Sequence, residues 1–174
     1  MSKYRQEGFT LIELVVVISI VVILIGALLN RVWYYQEQAE KTAMEQVVGS
    51  LQSALTMEYG SLMARGKASM VSELLVENPM DWLQRKPENY SGEFYAPTPR
   101  SVAPGHWVFD LRSRELIYVV NRGEHFTPGP DGYKWVRYHV SLTYEQLLGG
   151  TEKKLVGVLF QPVEPYSWFN GGTK

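Results

Sequence analysis

From Leu14 to Leu29 the chain carries no charged residue, and only Ser19 and Gly26 interrupt its apolar side chains. Counted from Phe9, the apolar stretch to Leu29 is 21 residues long. As a helix it spans about 30 Å, enough to cross a hydrocarbon core. At its mouth sits one carboxylate, Glu13. An acidic side chain in a membrane helix costs about 3 kcal/mol at the bilayer centre, less near an interface, and such residues usually have a partner. A Glu that snorkels to a helix end is the bland explanation. A nearby ammonium is the other, because a paired charge offsets the cost of low dielectric.

Upstream, Lys3 and Arg5 stand against Glu7 in the eight residues that end at Gly8. Basic residues ahead of an apolar segment keep that end in the cytoplasm, so the rest is expected to be exported. An ordinary secretory signal has a shorter apolar region and an A-x-A-like cleavage site. Here the run is longer, Gly26-Ala27-Leu28-Leu29-Asn30 makes a poor site, and helical sequence follows. A plain uncleaved anchor has no use for Gly8 or Glu13.

The run Gly8-Phe9-Thr10-Leu11-Ile12-Glu13-Leu14 and the apolar residues behind it resemble the processing and assembly signature of type IV pilins and type II secretion pseudopilins. The motif covers Gly8 to about Ile18, and the resemblance continues as one long helix to about Met63. It implies that a prepilin peptidase cuts between Gly8 and Phe9 and that the new amino group is methylated, giving N-methylphenylalanine at Phe9. It also implies that Glu13 pairs with the Phe9 ammonium, its own or a neighbour's, during assembly. The implied partners are other pilin or pseudopilin subunits and an inner-membrane assembly machinery. The implied location is the bacterial inner membrane in a single pass, N-terminus cytoplasmic and head periplasmic, and then a pilus or pseudopilus. Many major pilins carry a C-terminal disulfide loop. This chain has no Cys, which points to a minor pilin or pseudopilin.

No proline occurs before Pro79. Beyond the membrane segment, Val32, Tyr35, Ala39, Ala43, Val47, Leu51, Leu55, Tyr59 and Leu62 recur at steps of three or four, one face of a helix. Arg31, Glu37, Lys41 and Glu45 fall on the other face, with Glu37 and Lys41 at i,i+4. One helix of about 55 residues, roughly 80 Å long, is expected, with Gly60 and Gly66 bracketing its end. Major pilins commonly have a proline near position 30. Asn30-Arg31 stands here instead, so a kink is less expected.

The division expected is a leader at 1–8, a transmembrane half-helix at 9–30 and a head at 31–174. The head comprises the amphipathic half-helix (31–63), a connecting loop (64–105) and a sheet (106–163). Within the loop, Ser69 is read as the N-cap of a short helix, and Trp82 is placed in the core. Strands are read at His106–Leu111, Leu116–Val120, Lys134–Val140 and Lys154–Val163. Arg112–Glu115 forms a hairpin turn, Tyr144–Leu148 a short helix, and Ser167–Lys174 a loose tail. The fold class is α+β: a long N-terminal helix packed on a roughly four-stranded antiparallel sheet.

No chemistry-bearing motif is present. His106, His125 and His139 show no metal-ligand spacing. Some secretion pseudopilins hold calcium in a loop near the C-terminus. Asp131 offers one oxygen, but the 6–8 oxygens usual for calcium are not visible nearby. No cofactor is therefore expected, with calcium as the exception to watch. Formal net charge is −1, and Arg112, Arg114 and Arg122 make too small a cluster to indicate nucleic acid. With no catalytic constellation, the chain is read as a structural subunit, not an enzyme. The competing reading is a permanently anchored periplasmic ligand-binding module that does not assemble.

Overall fold

The computed structural model describes residues 10–146 and 153–169. The chain divides into two compact units, Met1–Gln38 and Ala39–Lys174. The boundary falls inside helix α1, Leu11–Ala64, 54 residues. The helix is continuous through residue 30, as the missing proline led one to expect. It stops at a glycine: Gly66 takes φ +68°, its N–H donates to the Met63 carbonyl at 3.1 Å, and the Lys67 N–H reaches back to the Leu62 carbonyl at 2.9 Å. This is a Schellman closure, which satisfies carbonyls that would otherwise be orphaned.

In the second unit the buried face of α1 carries Met44, Leu51 and Leu55, each at most 1% exposed, flanked by the partly buried Val47, Val48, Tyr59 and Leu62. The expected stripe is thus right from Val47 onward and wrong before it. Ala39 and Ala43 are exposed, and the residue buried at this level is Met44. Glu37 is only 2% exposed and so does not lie on the solvent face. Lys41 pairs with Glu45 at 3.7 Å.

The face of α1 packs on a five-stranded sheet. The strands are β1 (Tyr90–Phe94), β2 (Trp107–Asp110), β3 (Glu115–Val119), β5 (Trp135–Gln146) and β6 (Lys153–Pro162), in the order β1-β2-β3-β5-β6. All neighbours are antiparallel except β1 and β2. Trp107 lies at the centre, fully buried, 4.9 Å from the Tyr118 ring and 6.1 Å from the Tyr138 ring.

Strand β1 corrects the expectation that residues 64–105 are only a connecting loop. It runs parallel to β2, and a parallel pair needs a crossover of about a dozen residues. Residues 95–106 provide it and carry Val102 onto the second face of the sheet, against Val108, Ile117 and Val119. Both faces of β2 and β3 are therefore covered: the alternation expected for His106–Leu111, and in part for Leu116–Val120, does not mark a solvent-facing side, since all of β2 and all of β3 except Glu115 is buried. Asp110 fixes the crossover to the β2–β3 hairpin. Its carboxylate accepts from the Ala96 N–H (2.9 Å), the Arg112 N–H (2.9 Å) and the Ser113 hydroxyl (2.8 Å). Arg112–Glu115 is the hairpin turn expected, with Arg114 at φ +59°.

Three further expectations are revised. Tyr144–Gln146 continues β5, paired with Lys153–Leu155, and is not helical; residues 147–148 lie outside the described residues. The short helix begins at Ala68 and is a 3-10 segment to Leu75, without a side-chain cap. Trp82 is half-buried at the core margin. Ser167–Trp168 is not loose: as β7 it pairs with β4 (Phe126–Thr127). Trp168 is 1% exposed, with its ring 5.4 Å from the Phe126 ring.

Candidate functional site

Gly8 and Phe9, the residues expected to carry processing, lie outside the described residues. The site can be followed from Thr10. The Thr10 hydroxyl accepts the Glu13 N–H at 3.3 Å and its carbonyl accepts the Leu14 N–H at 3.2 Å. Thr10 is therefore the N-cap of α1, and Glu13 occupies the third helical position, the spacing of a capping box. The location is electrostatically favourable, because unsatisfied N–H groups make a helix N-terminus effectively positive. Glu13 is exposed, so its carboxylate stands in the first turn of the helix, available to a cation.

Behind it, every large apolar residue from Leu11 to Leu29 is exposed, from 44% at Val17 to 81% at Leu11. Among the described residues α1 is one helix long and apolar enough to cross a membrane. An apolar surface of this extent is not stable in water and needs lipid or other helices around it.

In the second unit sequence reasoning missed one polar residue that organises the helix–sheet contact. The Glu40 carboxylate, on α1, accepts the Tyr118 hydroxyl (3.0 Å), the Asn121 N–H (2.7 Å) and the Arg122 N–H (2.8 Å). It thereby caps the chain leaving β3. Burial, and next the adjacent Glu40 charge, push the Tyr118 phenol well above its ordinary range. One turn of signal existed: an acid inside the amphipathic face, three residues from Glu37. Gln52 acts similarly at the sheet edge. Its side-chain carbonyl accepts the Phe160 N–H at 2.7 Å and its amide donates to the Val158 carbonyl at 3.4 Å. The helix thus occupies part of the open edge of β6, which limits edge-to-edge pairing.

The Asp131 carboxylate accepts the Tyr133 N–H (3.1 Å) and the Trp135 indole N–H (2.6 Å), a turn-stabilising arrangement. Among the described residues no group of three or more His, Cys, Asp or Glu is placed to hold a metal ion. An open groove of about 450 Å³ runs between Gln46, Val47 and Ser50 of α1 and residues 83–88. The charged residues of that wall are engaged locally: Arg85 with Glu88 at 3.2 Å, and Lys86 with Asp81.

A capped helix with an acid in its first turn and an apolar segment long enough to cross a membrane, continuing into an α+β head, defines a pilin-like subunit. The family model for the prokaryotic N-terminal methylation motif matches residues 3–29. The type II secretion system core protein G of Pectobacterium carotovorum subsp. carotovorum is 30% identical over 136 residues, which cover 75% of this chain and 80% of that protein. No solved structure matches. The chain belongs to the type IV pilin and type II secretion pseudopilin family, whose members are structural subunits.

Proposed function

We propose that the chain is a non-enzymatic filament subunit of a type II secretion pseudopilus, the branch to which its 30% identical relative belongs; a type IV pilus is the alternative assembly. A prepilin peptidase cuts between Gly8 and Phe9, and the new amine of Phe9 is methylated. The subunit is stored in the inner membrane by its apolar helix, N-terminus cytoplasmic and head periplasmic. The assembly machinery then lifts it into the filament. The Glu13 carboxylate pairs with the Phe9 ammonium of a neighbour, which replaces an isolated charge in low dielectric by an ion pair. The cysteine-free chain supports a minor pilin or pseudopilin over a major pilin, and no cofactor enters this role.

The observation that carries the reading is the exposed Glu13 in the first turn of a capped helix whose large apolar residues from Leu11 to Leu29 are all exposed. Glu13→Val removes the charge and keeps an apolar surface, so the variant is expected to insert into the membrane normally. It is expected to enter sheared filaments at least tenfold less efficiently than wild type, a loss of about 1.4 kcal/mol or more. Wild-type incorporation of Glu13→Val, measured by immunoblot of the filament fraction, would remove the pairing argument.

A further inference from the structure

At the far end of the apolar segment stand Arg31, Trp33, Tyr34 and Tyr35. Arg31 is the first charge after Glu13. The three aromatic residues are 54%, 40% and 58% exposed, and the Tyr34 and Tyr35 rings meet edge to face at 5.8 Å. The helical rise from Glu13 to Trp33 is about 30 Å, the thickness of a hydrocarbon core. A helix with Glu13 at one interface therefore brings Trp33–Tyr35 to the other.

The azimuths separate two kinds of occupant. Consecutive helical residues are turned by about 100°, so three in a row spread over about 200° of the circumference. A single neighbouring helix covers a narrower stripe than that. A headgroup layer surrounds the helix and accepts all three rings at one depth. Indole N–H and phenol O–H groups on apolar rings suit that layer, where one end of each ring is dry and the other wet. The Arg31 guanidinium is complementary to lipid phosphate and has a long stem with which to reach it.

We infer that Arg31, Trp33, Tyr34 and Tyr35 form an interfacial belt that binds the headgroup region of the periplasmic leaflet and sets the depth at which the unassembled subunit waits. This rests on the membrane-stored state proposed above. The belt also opposes withdrawal: pulling the subunit towards the periplasm removes these rings from their preferred layer before the apolar helix leaves the core.

The test uses the full chain reconstituted in phosphatidylethanolamine–phosphatidylglycerol vesicles whose acyl chains carry bromine either near the headgroup or near the chain end. Wild-type and Trp33→Phe proteins are compared, so that the difference emission isolates Trp33 from the other four tryptophans. Flotation of the vesicles is run on the same samples. The expected result is co-flotation, with the difference emission quenched more by shallow than by deep bromine. Stronger deep quenching overturns the belt, and so does co-flotation with no quenching, while both leave the membrane anchor standing. Difference emission that responds only to protein density in the membrane assigns the rings to a second copy of this chain and also overturns it. Failure to float overturns both the belt and the membrane-stored state.

Discussion

Removing the Glu40 carboxylate tests the contact by which α1 holds the sheet in the second unit. Glu40→Ala takes the acceptor from three donors at 2.7–3.0 Å. Their surroundings set the cost. Tyr118 is 4% exposed, so its hydroxyl loses its partner where water does not readily replace it, a penalty of about 1–3 kcal/mol. The Asn121 N–H is exposed and rehydrates, so its loss is small. The Arg122 N–H is partly buried and adds about 1 kcal/mol. The expected destabilisation is about 2–4 kcal/mol. Glu40→Gln keeps one acceptor oxygen and is expected to lose about half as much. Urea unfolding of the full chain in detergent, followed by near-ultraviolet circular dichroism, measures both. A double-mutant cycle with Tyr118→Phe is expected to return a coupling of about 1 kcal/mol, since the two groups share a hydrogen bond. If Glu40→Ala unfolds within about 0.5 kcal/mol of wild type, a level typical of unremarkable surface changes, the contact does not hold the helix and the argument fails.

Gln52→Ala frees the Phe160 N–H and the Val158 carbonyl on the edge of β6. It is expected to cost about 1–2 kcal/mol and to raise self-association of the detergent-solubilised chain, read by analytical ultracentrifugation; an unchanged monomer fraction would argue against edge protection. Stability should fall at both pH extremes. Burial tends to raise the Asp110 carboxyl, but the Arg112 N–H, the Ser113 hydroxyl and the Ala96 N–H outweigh it and hold it below the ordinary 3.8. Its contribution is present above that value and is lost as pH falls through the lower folded one. Tyr118 is the opposite case, raised above the ordinary 10.0 by burial and then by Glu40. Its contribution is complete below that pH and is lost on the alkaline side. Asp110→Asn should flatten the acid limb of a stability–pH curve, and Tyr118→Phe the alkaline limb.

The helix, its exposed apolar half and the α+β class were legible because they depend on long-range composition: an uncharged apolar run, no proline before Pro79, and β-branched and aromatic strands later. Phase was harder to read. Ala39 and Ala43 fit the helical spacing but are exposed; the buried apolar face begins at Met44 and is joined to the sheet by an acid, Glu40, that a hydrophobic count passes over. Strand β1 was missed because Ser91-Gly92-Glu93 has no strand signal. Gly92 has φ +99° and the ladder shifts register between Tyr90 and Glu93. The pairing there comes from tertiary contact with β2. Tyr144–Gln146 is held as strand by its partner across the hairpin, which local propensity does not anticipate. Trp168 was placed in a tail because its partner, Phe126, lies 42 residues earlier in the chain. At the N-terminus, Glu13 stands out in the sequence because a carboxylate at a membrane-length segment is costly without a partner; the structure adds that it sits in the first turn of a helix capped by Thr10.

Mass spectrometry of the N-terminus, in cells with and without the prepilin peptidase, tests the central claim most directly. The account predicts a peptide that begins at N-methylated Phe9 and is seen only when the peptidase is present. An intact Met1 terminus in both strains would contradict it and indicate a permanent anchor. A terminus near residues 27–31 would contradict it in another way, because a secreted soluble protein leaves Glu13 without the role assigned to it.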